Sequence, residues 1–283
     1  MRIATWNVNS LPARLGKLWW WLDRAAPDIL LLQETKIDDE AVPHEGFSER
    51  GYSIVHHGQS NGRHGVAIAS RWDLTDIVTN FSDPTPDTVV PDDPSTEARM
   101  IAATCKDIRV ASLYVPNGRQ LDSVHYERKL KWLNRCAQWL EQSQDPGDSL
   151  VVGGDYNIAP TDDDVWNPSE CHGGTHVSDA ERAALARLEK WGLVDGYRLK
   201  HPEDGRYSWW DYRAGAFHKG WGMRIDLLLT TKSVGDRIVW AEIDREARKG
   251  KPIPSDHAPV VIDLDEPGVA FDARWERADA KRK

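Results

Sequence analysis

The sequence predicts one α/β domain in which two packed β-sheets are covered by helices. Apolar runs typical of strands alternate with amphipathic runs typical of helices along the chain. Several strand-like runs follow one another closely, which suits hairpins and antiparallel neighbours better than helical crossovers. Both halves of the chain also repeat a short pattern, in which a helix joins two strands that each have a polar end.

The predicted strands are short apolar runs. Residues 29–32 form the clearest one, because all four are aliphatic and polar residues follow them directly. A strand that is apolar at every position is expected to be buried on both faces. The other runs interpreted in this way are residues 1–6, 52–55, 66–69, 100–105, 110–115, 150–152, 227–229 and 260–262.

Three helices are predicted from apolar residues that recur at helical spacing. The first lies between the first two strands. The second covers about residues 126–142. The third covers 179–191, because Asp179 suits its N-terminal end and Gly192 its C-terminal end. The inward faces of the first two helices consist of Leu15, Leu18, Trp19 and Leu22, and of Leu130, Leu133, Ala137 and Leu140.

Loops interrupt this pattern without dividing the chain into domains. Residues 82–95 are rich in proline and aspartate, and residues 161–177 are also loop-like. Candidate site residues lie on both sides of each loop, so neither is interpreted as a linker. We therefore predict one domain over residues 1–265, which holds all the candidate site residues described below, followed by a C-terminal tail over residues 266–283. The role of the acidic loop at 82–95 stays open.

Composition narrows the class of protein. A net charge of −9 over 283 residues argues against a protein that coats nucleic acid indiscriminately, although it is compatible with a local basic surface. Three cysteines far apart, with no C-x-x-C pair, favour a reducing cytoplasm over a disulfide framework or zinc knuckle. No signal-peptide pattern opens the chain, and no apolar stretch approaches the roughly 20 residues that a membrane span requires. We therefore expect a cytoplasmic protein with no membrane partner.

Five short polar blocks lie beside the apolar runs. Three of them follow a predicted strand and two precede one. Because antiparallel strands bring strand ends and strand starts together, we expect all five blocks at one sheet edge. Carboxylates, carboxamides and an imidazole gathered there would form a site for a hard cation beside a general base. The blocks are residues 5–7, 33–35, 154–157, 224–226 and 255–257.

Glu34 and Asn7 are the first candidates for the cation site. Glu34 follows four aliphatic residues, and a carboxylate there suits Mg²⁺, which prefers oxygen ligands and keeps several waters. Asn7 closes the first strand, where it could add a carbonyl ligand or orient Glu34. Each residue taken singly has a structural alternative: a solvated loop residue for Glu34, and an Asx-turn for Asn7.

Asp155 and Asn157 form a more specific pair. Gly153 and Gly154 precede them and let the backbone turn closely beneath a ligand. Two residues apart on an extended chain, the two side chains point to the same side. Asp155 could then deprotonate water while Asn157 hydrogen-bonds a non-bridging phosphate oxygen. An ordinary turn built from Gly, Asp and Asn is the alternative.

His257 stands between a candidate metal ligand, Asp256, and a buried strand. Its imidazole could donate to a phosphate oxygen whose charge grows in the transition state. A second carboxylate would fix its tautomer and favour the protonated form, and Asp226 is the candidate because it opens what we expect to be the neighbouring strand. Tyr114, at the end of the strand over 110–115, could contact the scissile phosphate or simply pack as an aromatic side chain.

Together these blocks resemble the exonuclease III branch of the endonuclease/exonuclease/phosphatase superfamily. The resemblance implies a four-layer α/β sandwich of two packed mixed β-sheets flanked by helices. It also implies hydrolysis of DNA phosphodiesters with Mg²⁺, or with Mn²⁺ as a substitute. The implied activities are incision 5′ to abasic sites, 3′→5′ exonuclease and removal of blocked 3′ ends, all on double-stranded DNA. The match covers residues 1–264 in order and includes residues 3–7, 32–36, 64–67, 114–118, 154–161, 191–195, 207–213, 224–228 and 255–259.

The resemblance also implies roles for individual residues. Glu34 is similar to the principal metal ligand, Asp155 and Asn157 to the second-metal or water-activating pair, and Asp226–His257 to the orienting dyad. The residues placed in catalysis are Tyr114, Asp155, Asn157, Asp226 and His257. Those placed around the metal are Asn7, Glu34, Asp155, Asn157, Asp256 and His257.

The choice of DNA among phosphate esters depends on the aromatic loop over residues 207–213. Such a loop beside the site can wedge into a duplex and wall a pocket for an extruded sugar. Three residues in and after the loop resemble the abasic-pocket residues of the family, and a hydrophobic mini-core is the alternative. The substrate-binding candidates are the three pocket residues Trp209, Met223 and Ile225, together with Asn117 and Arg213.

Several questions stay open at this point. The alternative functions are a phosphodiesterase or phosphatase for RNA or small phosphates, and a DNA-binding paralogue with weak catalysis. Asn9 stands where part of the family has a carboxylate, which leaves the choice between one metal and two undecided. Asp155 is favoured over His257 as general base, because His257 held by Asp226 should carry a proton. We expect a cytoplasmic monomer that is nucleoid-associated when bound to DNA.

Overall fold

Two six-stranded mixed sheets face each other in the computed structural model, with helices on their outer faces. The structure describes residues 1–59, 62–82, 94–202 and 205–273. The predicted fold class is confirmed. The helices are α1 (Leu11–Ala25), α2 (His44–Ser48), α3 (Val124–Ser143), α4 (Pro168–Cys171), α5 (Asp179–Trp191), α6 (Ala216–Lys219) and α7 (Lys232–Gly235).

The two sheets share the same pattern of strand pairing, in which a central parallel pair has two antiparallel strands on each side. In the first, the strand order is β11-β12-β1-β2-β4-β3, and in the second β5-β6-β7-β8-β10-β9. In each sheet the two central strands are parallel and joined by a long helix, which fits the repeated pattern predicted from the sequence. The strands are β1 (Arg2–Asn7), β2 (Ile29–Gln33), β3 (Ser53–His57), β4 (Val66–Ser70), β5 (Leu74–Thr79), β6 (Met100–Cys105), β7 (Ile108–Tyr114), β8 (Leu150–Asp155), β9 (Leu193–Asp195), β10 (Asp226–Thr231), β11 (Ile238–Ile243) and β12 (Val260–Leu264).

Alternate side chains along each central strand enter different layers of the core. Ile3 of β1 packs between the sheets, whereas Ala4 and Trp6 pack beneath α1. In β8, Val151 lies between the sheets and Val152 beneath α3 and α5. This period of two, with apolar residues on both faces, explains why the central strands are apolar at nearly every position.

The five polar blocks meet between the sheets rather than along one sheet edge. Strands β1 and β2 end at Asn7 and Gln33, next to the start of β12, all in the first sheet. Strands β8 and β10 belong to the second sheet, where Asp155 and Asp226 are register partners. The expectation of one edge was therefore wrong. The blocks divide between two sheets, because the strands that carry them pair into separate ladders and meet only by face-to-face packing.

The helices agree closely with their sequence patterns. The predicted helix at 126–142 extends two residues further at its N-terminal end, because the Ser123 hydroxyl accepts a hydrogen bond from Tyr126 N–H. Helix α5 has the predicted bounds, with Ser178 and Glu181 forming a capping box and Gly192 at the C-terminal end. No helix in the described ranges is long and apolar enough to cross a membrane.

The loop predicted at 82–95 lies mostly outside the described residues. The segment 161–177 is loop-like as expected, apart from the single turn of α4 and a short 3-10 turn. Beyond residue 265 the chain lies against the first sheet, where the carbonyl of Val269 accepts a hydrogen bond from Arg2 at 2.7 Å. The division at residue 265 between domain and tail stays a prediction.

Gly154 is required where β8 passes under the site. Its φ is 155°, and a Cβ built there would lie only 1.9 Å from the carbonyl oxygen of Leu113. We expect Gly154→Ala to lower the free energy of unfolding by at least about 3 kcal/mol, because backbone rather than a side chain must move. Gly16→Ala is the control. Its Cβ would meet only Pro252 Cγ at 3.5 Å, and helix propensity should stabilise it by about 0.5–1 kcal/mol. Equal denaturation midpoints for the two variants would contradict the prediction.

Candidate functional site

Asn7 joins carboxylates from the two sheets at the base of the site. Its Nδ2 donates to Glu34 Oε1 and to Asp155 Oδ2, each at 2.9 Å. Its Oδ1 accepts from the backbone N–H of Asn9 at 2.9 Å. Of the two roles predicted for Asn7, this geometry favours orienting Glu34, because the amide oxygen is directed toward the backbone.

Glu34 is presented by a strained turn. Its φ is 52° and that of Lys36 is 55°, a left-handed conformation that non-glycine residues rarely adopt. The intervening Thr35 anchors the turn, because its hydroxyl lies 2.7 Å from His56 Nε2 and His56 Nδ1 lies 2.7 Å from Asp39. Burial would raise the pKa of Glu34, but Lys36 at 2.8 Å and the Asn7 hydrogen bond lower it.

Asp155 and Asn157 are brought together as predicted. The backbone N–H of Asn157 donates to Asp155 Oδ1 at 2.9 Å, and its Nδ2 donates to Asp155 Oδ2 at 3.2 Å and to Val115 O at 3.0 Å. Asn117, predicted to bind substrate, donates to Asn157 Oδ1 at 3.0 Å and so also fixes the amide. The Asn157 side chain is therefore held in one orientation.

An ion pair spans the two sheets at His257. Its Nδ1 lies 2.8 Å from Asp226 Oδ2, and Ser208 Oγ donates to the same oxygen at 2.6 Å. Asp226 is in the second sheet and His257 precedes β12 in the first, so the expectation that Asp226 opens the neighbouring strand was wrong. The residues meet because the strands carrying them face each other. Burial alone would lower the pKa of His257, but the charges of Asp226 and Asp155 raise it to about 10.

The pKa of Asp155 moves toward neutrality. Burial raises it most. The charge of His257 lowers it, whereas the charges of Asp226 and Glu34 raise it, and the result is about 7. The second ring nitrogen of His257 lies 3.9 Å from Asp155 Oδ2. Asp155 and His257 are thus a buried pair in which the imidazole holds a proton and the carboxyl titrates near neutral pH.

Tyr114 completes the floor of the site. It ends β7 directly beside Asp155, its register partner in β8. Its hydroxyl is hydrogen-bonded to Glu34, and burial together with the charge of Glu34 raises the pKa of the phenol well above its usual range. The phenol is therefore neutral, and Arg99 lies 4.7 Å over its ring.

The donor set fits a divalent cation. Ligand atoms of Glu34, Asp155 and His257 all lie within 4.8 Å of one another. Two carboxylates this close repel each other unless a cation or a proton lies between them, and the pKa of Asp155 records that repulsion. Asp256, also predicted around the metal, lies outside this group of ligand atoms, and its oxygens accept from Asn9 Nδ2 at 2.9 Å and Trp209 Nε1 at 3.1 Å.

The predicted pocket residues lie against the site. The backbone of Trp209 forms isolated antiparallel β-bridges with Met223 and with His257. Ile225 is buried with Ala159 and Val165, and Trp209 and Met223 pack on this cluster. These residues thus form an apolar wall beside the metal ligands.

Two other residues of the aromatic loop have different surroundings. Trp210 is buried in the core, 5.1 Å from Phe217 in an edge-to-face contact, so the mini-core interpretation applies to this indole. Arg213 is 87% exposed and forms an ion pair with Asp211 at 2.6 Å.

Sequence reasoning missed three residues that build the site. Lys36 Nζ bridges Glu34 and Asn9 Oδ1, the latter at 2.6 Å. Ser208 supports Asp226 as described above. His176 donates from Nδ1 to the Asn157 carbonyl at 2.5 Å. Lys36 lies inside a recognised block and Ser208 inside the aromatic loop, so position was a usable signal for both, whereas nothing in the loop around His176 indicated a role.

His176 stands at the pocket wall. Its ring centroid is 6.4 Å from that of Trp209. Burial and the charge of Lys129 lower its pKa to about 4, so the imidazole is neutral. Its backbone, at φ 80°, is held by a hydrogen bond from its N–H to Glu181 at 3.0 Å. The capping box of α5 thereby fixes an imidazole beside the predicted abasic pocket.

Known proteins with a similar sequence or structure cover nearly all of this chain. The family model for the endonuclease/exonuclease/phosphatase family matches residues 4–257. The chain is 32% identical to exodeoxyribonuclease III of Haemophilus influenzae, covering 92% of this chain and 98% of that protein. An AP endonuclease structure from Archaeoglobus fulgidus is 36% identical with a TM-score of 0.87, covering 94% of this chain and all of that one. A Neisseria 3′ phosphatase bound to a product DNA hairpin is also 36% identical, with a TM-score of 0.84 and coverages of 94% and 100%.

Removing one carboxylate should abolish cation binding without unfolding the protein. We expect a divalent cation at 100 times its Kd to stabilise the wild type by about 2.7 kcal/mol, measured as a shift in unfolding with Mg²⁺ or Mn²⁺. In Glu34→Gln the shift should nearly vanish, because a ligand charge is lost. Without cation, the variant loses one of two carboxylates that repel each other. The denaturation midpoint of cation-free Glu34→Gln should therefore stay near that of the wild type. Glu40→Gln, an exposed acid elsewhere, is the control, and an undiminished shift in Glu34→Gln would contradict the assignment.

Proposed function

The chain belongs to the endonuclease/exonuclease/phosphatase family, and we propose that it is a Mg²⁺-dependent DNA-repair nuclease of the exonuclease III type. It is a nuclease of the exodeoxyribonuclease III and AP endonuclease class. The proposed reactions are hydrolysis of the phosphodiester 5′ to an abasic site, 3′→5′ exonuclease and removal of blocked 3′ ends. The proposed substrate is double-stranded DNA carrying abasic sites or 3′ ends.

The observation that carries this proposal is the meeting of a cation-binding cluster with an apolar wall. Glu34 and Asp155 supply the carboxylates of the cluster, and His257 lies beside them, with one ligand atom of each residue within 4.8 Å of the others. Trp209 belongs to the wall, and its Nε1 also donates a hydrogen bond to Asp256 beside the cluster. A phosphodiesterase of lipids or small phosphates needs the cluster alone, whereas a damaged-DNA nuclease also needs a surface for an extruded sugar.

The residues divide the chemistry among them. A divalent cation held by Glu34 and Asp155 would supply positive charge to the leaving oxygen. Without a cation, burial raises the pKa of Asp155 to about 7; beside a bound cation the carboxylate is deprotonated, and its second oxygen is suited to take the proton of the attacking water. His257, with a pKa of about 10, keeps its proton and donates to a phosphate oxygen. We therefore assign His257 to proton donation rather than to the metal, because a protonated imidazole has no lone pair for a ligand bond.

Asn157 and Tyr114 hold the phosphate from the other side. Both amide protons of Asn157 are engaged, and the bond to Asp155 at 3.2 Å is the longer. A phosphate oxygen would replace that bond most easily. The neutral phenol of Tyr114 has one O–H, which donates to Glu34 and would have to turn from that carboxylate to contact a phosphate oxygen. These contacts would hold the phosphorus in line with the attacking water.

Further properties follow as part of this proposal. Mg²⁺ is proposed as the physiological cation, with Mn²⁺ as a substitute, because the donor set is dominated by carboxylates. All three cysteines are free, which suits a cytoplasmic protein. We propose that it acts there as a monomer and associates with the nucleoid when bound to DNA.

Asp155→Asn should separate turnover from binding. We expect the rate of abasic-site incision to fall by about 10²–10⁴, because the group that accepts the proton is lost. Affinity for the abasic duplex should stay within about threefold of wild type. The measurement is gel-resolved cleavage of an abasic duplex with Mg²⁺ and with EDTA, beside a binding titration in EDTA.

Other outcomes would support the alternatives. Substantial incision by Asp155→Asn would place the base elsewhere. Wild-type protein that binds abasic DNA but never nicks it would indicate a DNA-binding paralogue. Faster hydrolysis of RNA or an inositol phosphate than of abasic DNA would indicate a different phosphate ester as substrate.

One observation favours a second candidate function, the processing of 3′ ends with little abasic incision. The imidazole of His176 lies beside Trp209, with ring centroids 6.4 Å apart, so it would narrow the space for a sugar extruded against that indole. A terminal 3′ phosphate requires the metal and the phosphate contacts but not that space. The Neisseria relative with 36% identity is a 3′ phosphatase, whereas the Archaeoglobus one is an AP endonuclease.

His176→Gly distinguishes the two functions. Glycine accepts the φ of 80° without strain and removes the ring. If His176 narrows the pocket, the ratio of abasic incision to 3′-phosphate release should rise by about tenfold or more, the usual effect of one poorly accommodated group. Loss of the bond to Asn157 should slow both reactions alike, so the ratio is the informative quantity. An unchanged or lower ratio would show that the wild-type pocket already admits the sugar.

A further inference from the structure

Two indoles are stacked at the surface on segments that continue from the apolar wall. Trp166 and Trp221 have ring centroids 5.0 Å apart and an interplanar angle of 28°. Trp221 is 37% exposed, although a large aromatic ring is normally covered. Neither residue is among the catalytic, metal or substrate-binding residues predicted from the sequence.

Backbone contacts attach both indoles to the wall. The N–H of Trp166 donates to the Gly222 carbonyl at 3.0 Å, between Trp221 and Met223. The residue before Trp166, Val165, is bridged to Met223. Because Met223 is bridged in turn to Trp209, the stacked pair is a lateral extension of the surface beside the cation cluster.

A buried ionic network makes this extension rigid. Asp164, directly before the Val165 bridge, is fully buried and accepts from Arg224 Nε at 2.6 Å and from Arg198 at 2.5 Å. The N–H of Arg224 also donates to the Asp164 carbonyl at 2.8 Å. The backbone beside the two indoles is therefore held in place without a ligand, which lowers the ordering cost of binding a planar group on them.

A lysine covers the exposed indole. Lys219 Nζ lies 4.1 Å from the Trp221 ring centroid. Rings 5.0 Å apart leave no space for an ammonium group between them, so it lies over the outer face. An exposed ammonium–ring contact contributes about 2- to 5-fold in affinity, whereas a base stacked on an aromatic ring contributes roughly 5- to 150-fold. A nucleobase would therefore displace the lysine, which could then pair with a phosphate.

We propose that Trp166, Trp221 and Lys219 form a stacking platform for one nucleobase of the bound DNA. The inference rests on the proposed function. Two residues of chain span at most about 7 Å, so Trp221 lies within about two nucleotides of a sugar placed against Met223, at about 3.4 Å per nucleotide. The platform takes an unpaired base near the cut and the lysine takes its phosphate. It thereby favours DNA with frayed or melted ends.

The test compares cleavage by wild type, Trp221→Ala and Trp221→Phe. We expect Trp221→Ala to raise KM about tenfold on a 3′-phosphate duplex whose last two base pairs are mismatched, with kcat within about twofold of wild type. On the fully paired duplex the increase should be smaller. Trp221→Phe should recover most of the loss, because it retains a stacking ring. Equal KM values for wild type and Trp221→Ala on the mismatched duplex would overturn the proposal.

The chain provides a matched control. Trp20 is 38% exposed and has Lys17 Nζ 3.8 Å from its ring centroid, but it lies on α1. Trp20→Ala should leave both KM values unchanged. If it raises them as much as Trp221→Ala does, the effect is general and the platform is refuted. If wild type cleaves neither duplex, the proposed function fails instead.

Direct contact can be observed without turnover. A 2-aminopurine placed successively at each position near the 3′ end should be quenched in EDTA at one position by wild type and by Trp20→Ala, but not by Trp221→Ala. Identical fluorescence at every position for wild type and Trp221→Ala would overturn the proposal even if the KM values differ. This readout also keeps the test informative if Trp221→Ala is less stable.

Discussion

The ion pair between His257 and Asp226 is the interaction on which the site depends. The two residues are carried by different sheets. Both are buried, so either charge would be unfavourable without the opposite charge beside it. Once paired, they set the environment of Asp155, whose pKa responds to both charges. A repulsive set of carboxylates is thereby kept within reach of a cation while one proton donor stays beside it. The electrostatic balance of the site is thus a product of how the sheets pack, rather than of any one motif.

Much of the fold was predictable because its signals are local. The aliphatic run before Glu34 and the capping residues around α5 each specify an element without reference to the rest of the chain. Strand pairing is not local. The sequence shows that Asp226 opens a strand but not which sheet contains that strand, so the prediction that β10 neighbours the strand after His257 was wrong. Face-to-face packing brings them together, and neither strand carries a pattern that specifies the facing strand.

The site was predictable to a different extent. Residues at strand ends, such as Glu34 and Asp155, could be found because a polar residue interrupts an apolar run. His176 could not, because it lies in an irregular segment and reaches Asn157 through a backbone carbonyl, which any residue presents. The strained turn at Glu34 depends on His56 of another strand and likewise has no local signal. Catalytic groups were thus easier to predict than the residues that hold them in place.

The position of β12 has a consequence for the newly made chain. This strand pairs with β1, although about 250 residues separate them in the sequence, as the register of Val260 with Thr5 shows. Contacts this distant are slow to form and cannot precede synthesis of the second partner. His257 joins the site only with that strand. Synthesis past Glu34 and Asp155 therefore does not yet give a complete active site, and DNA near a translating ribosome meets the finished site only after His257 and β12 have emerged.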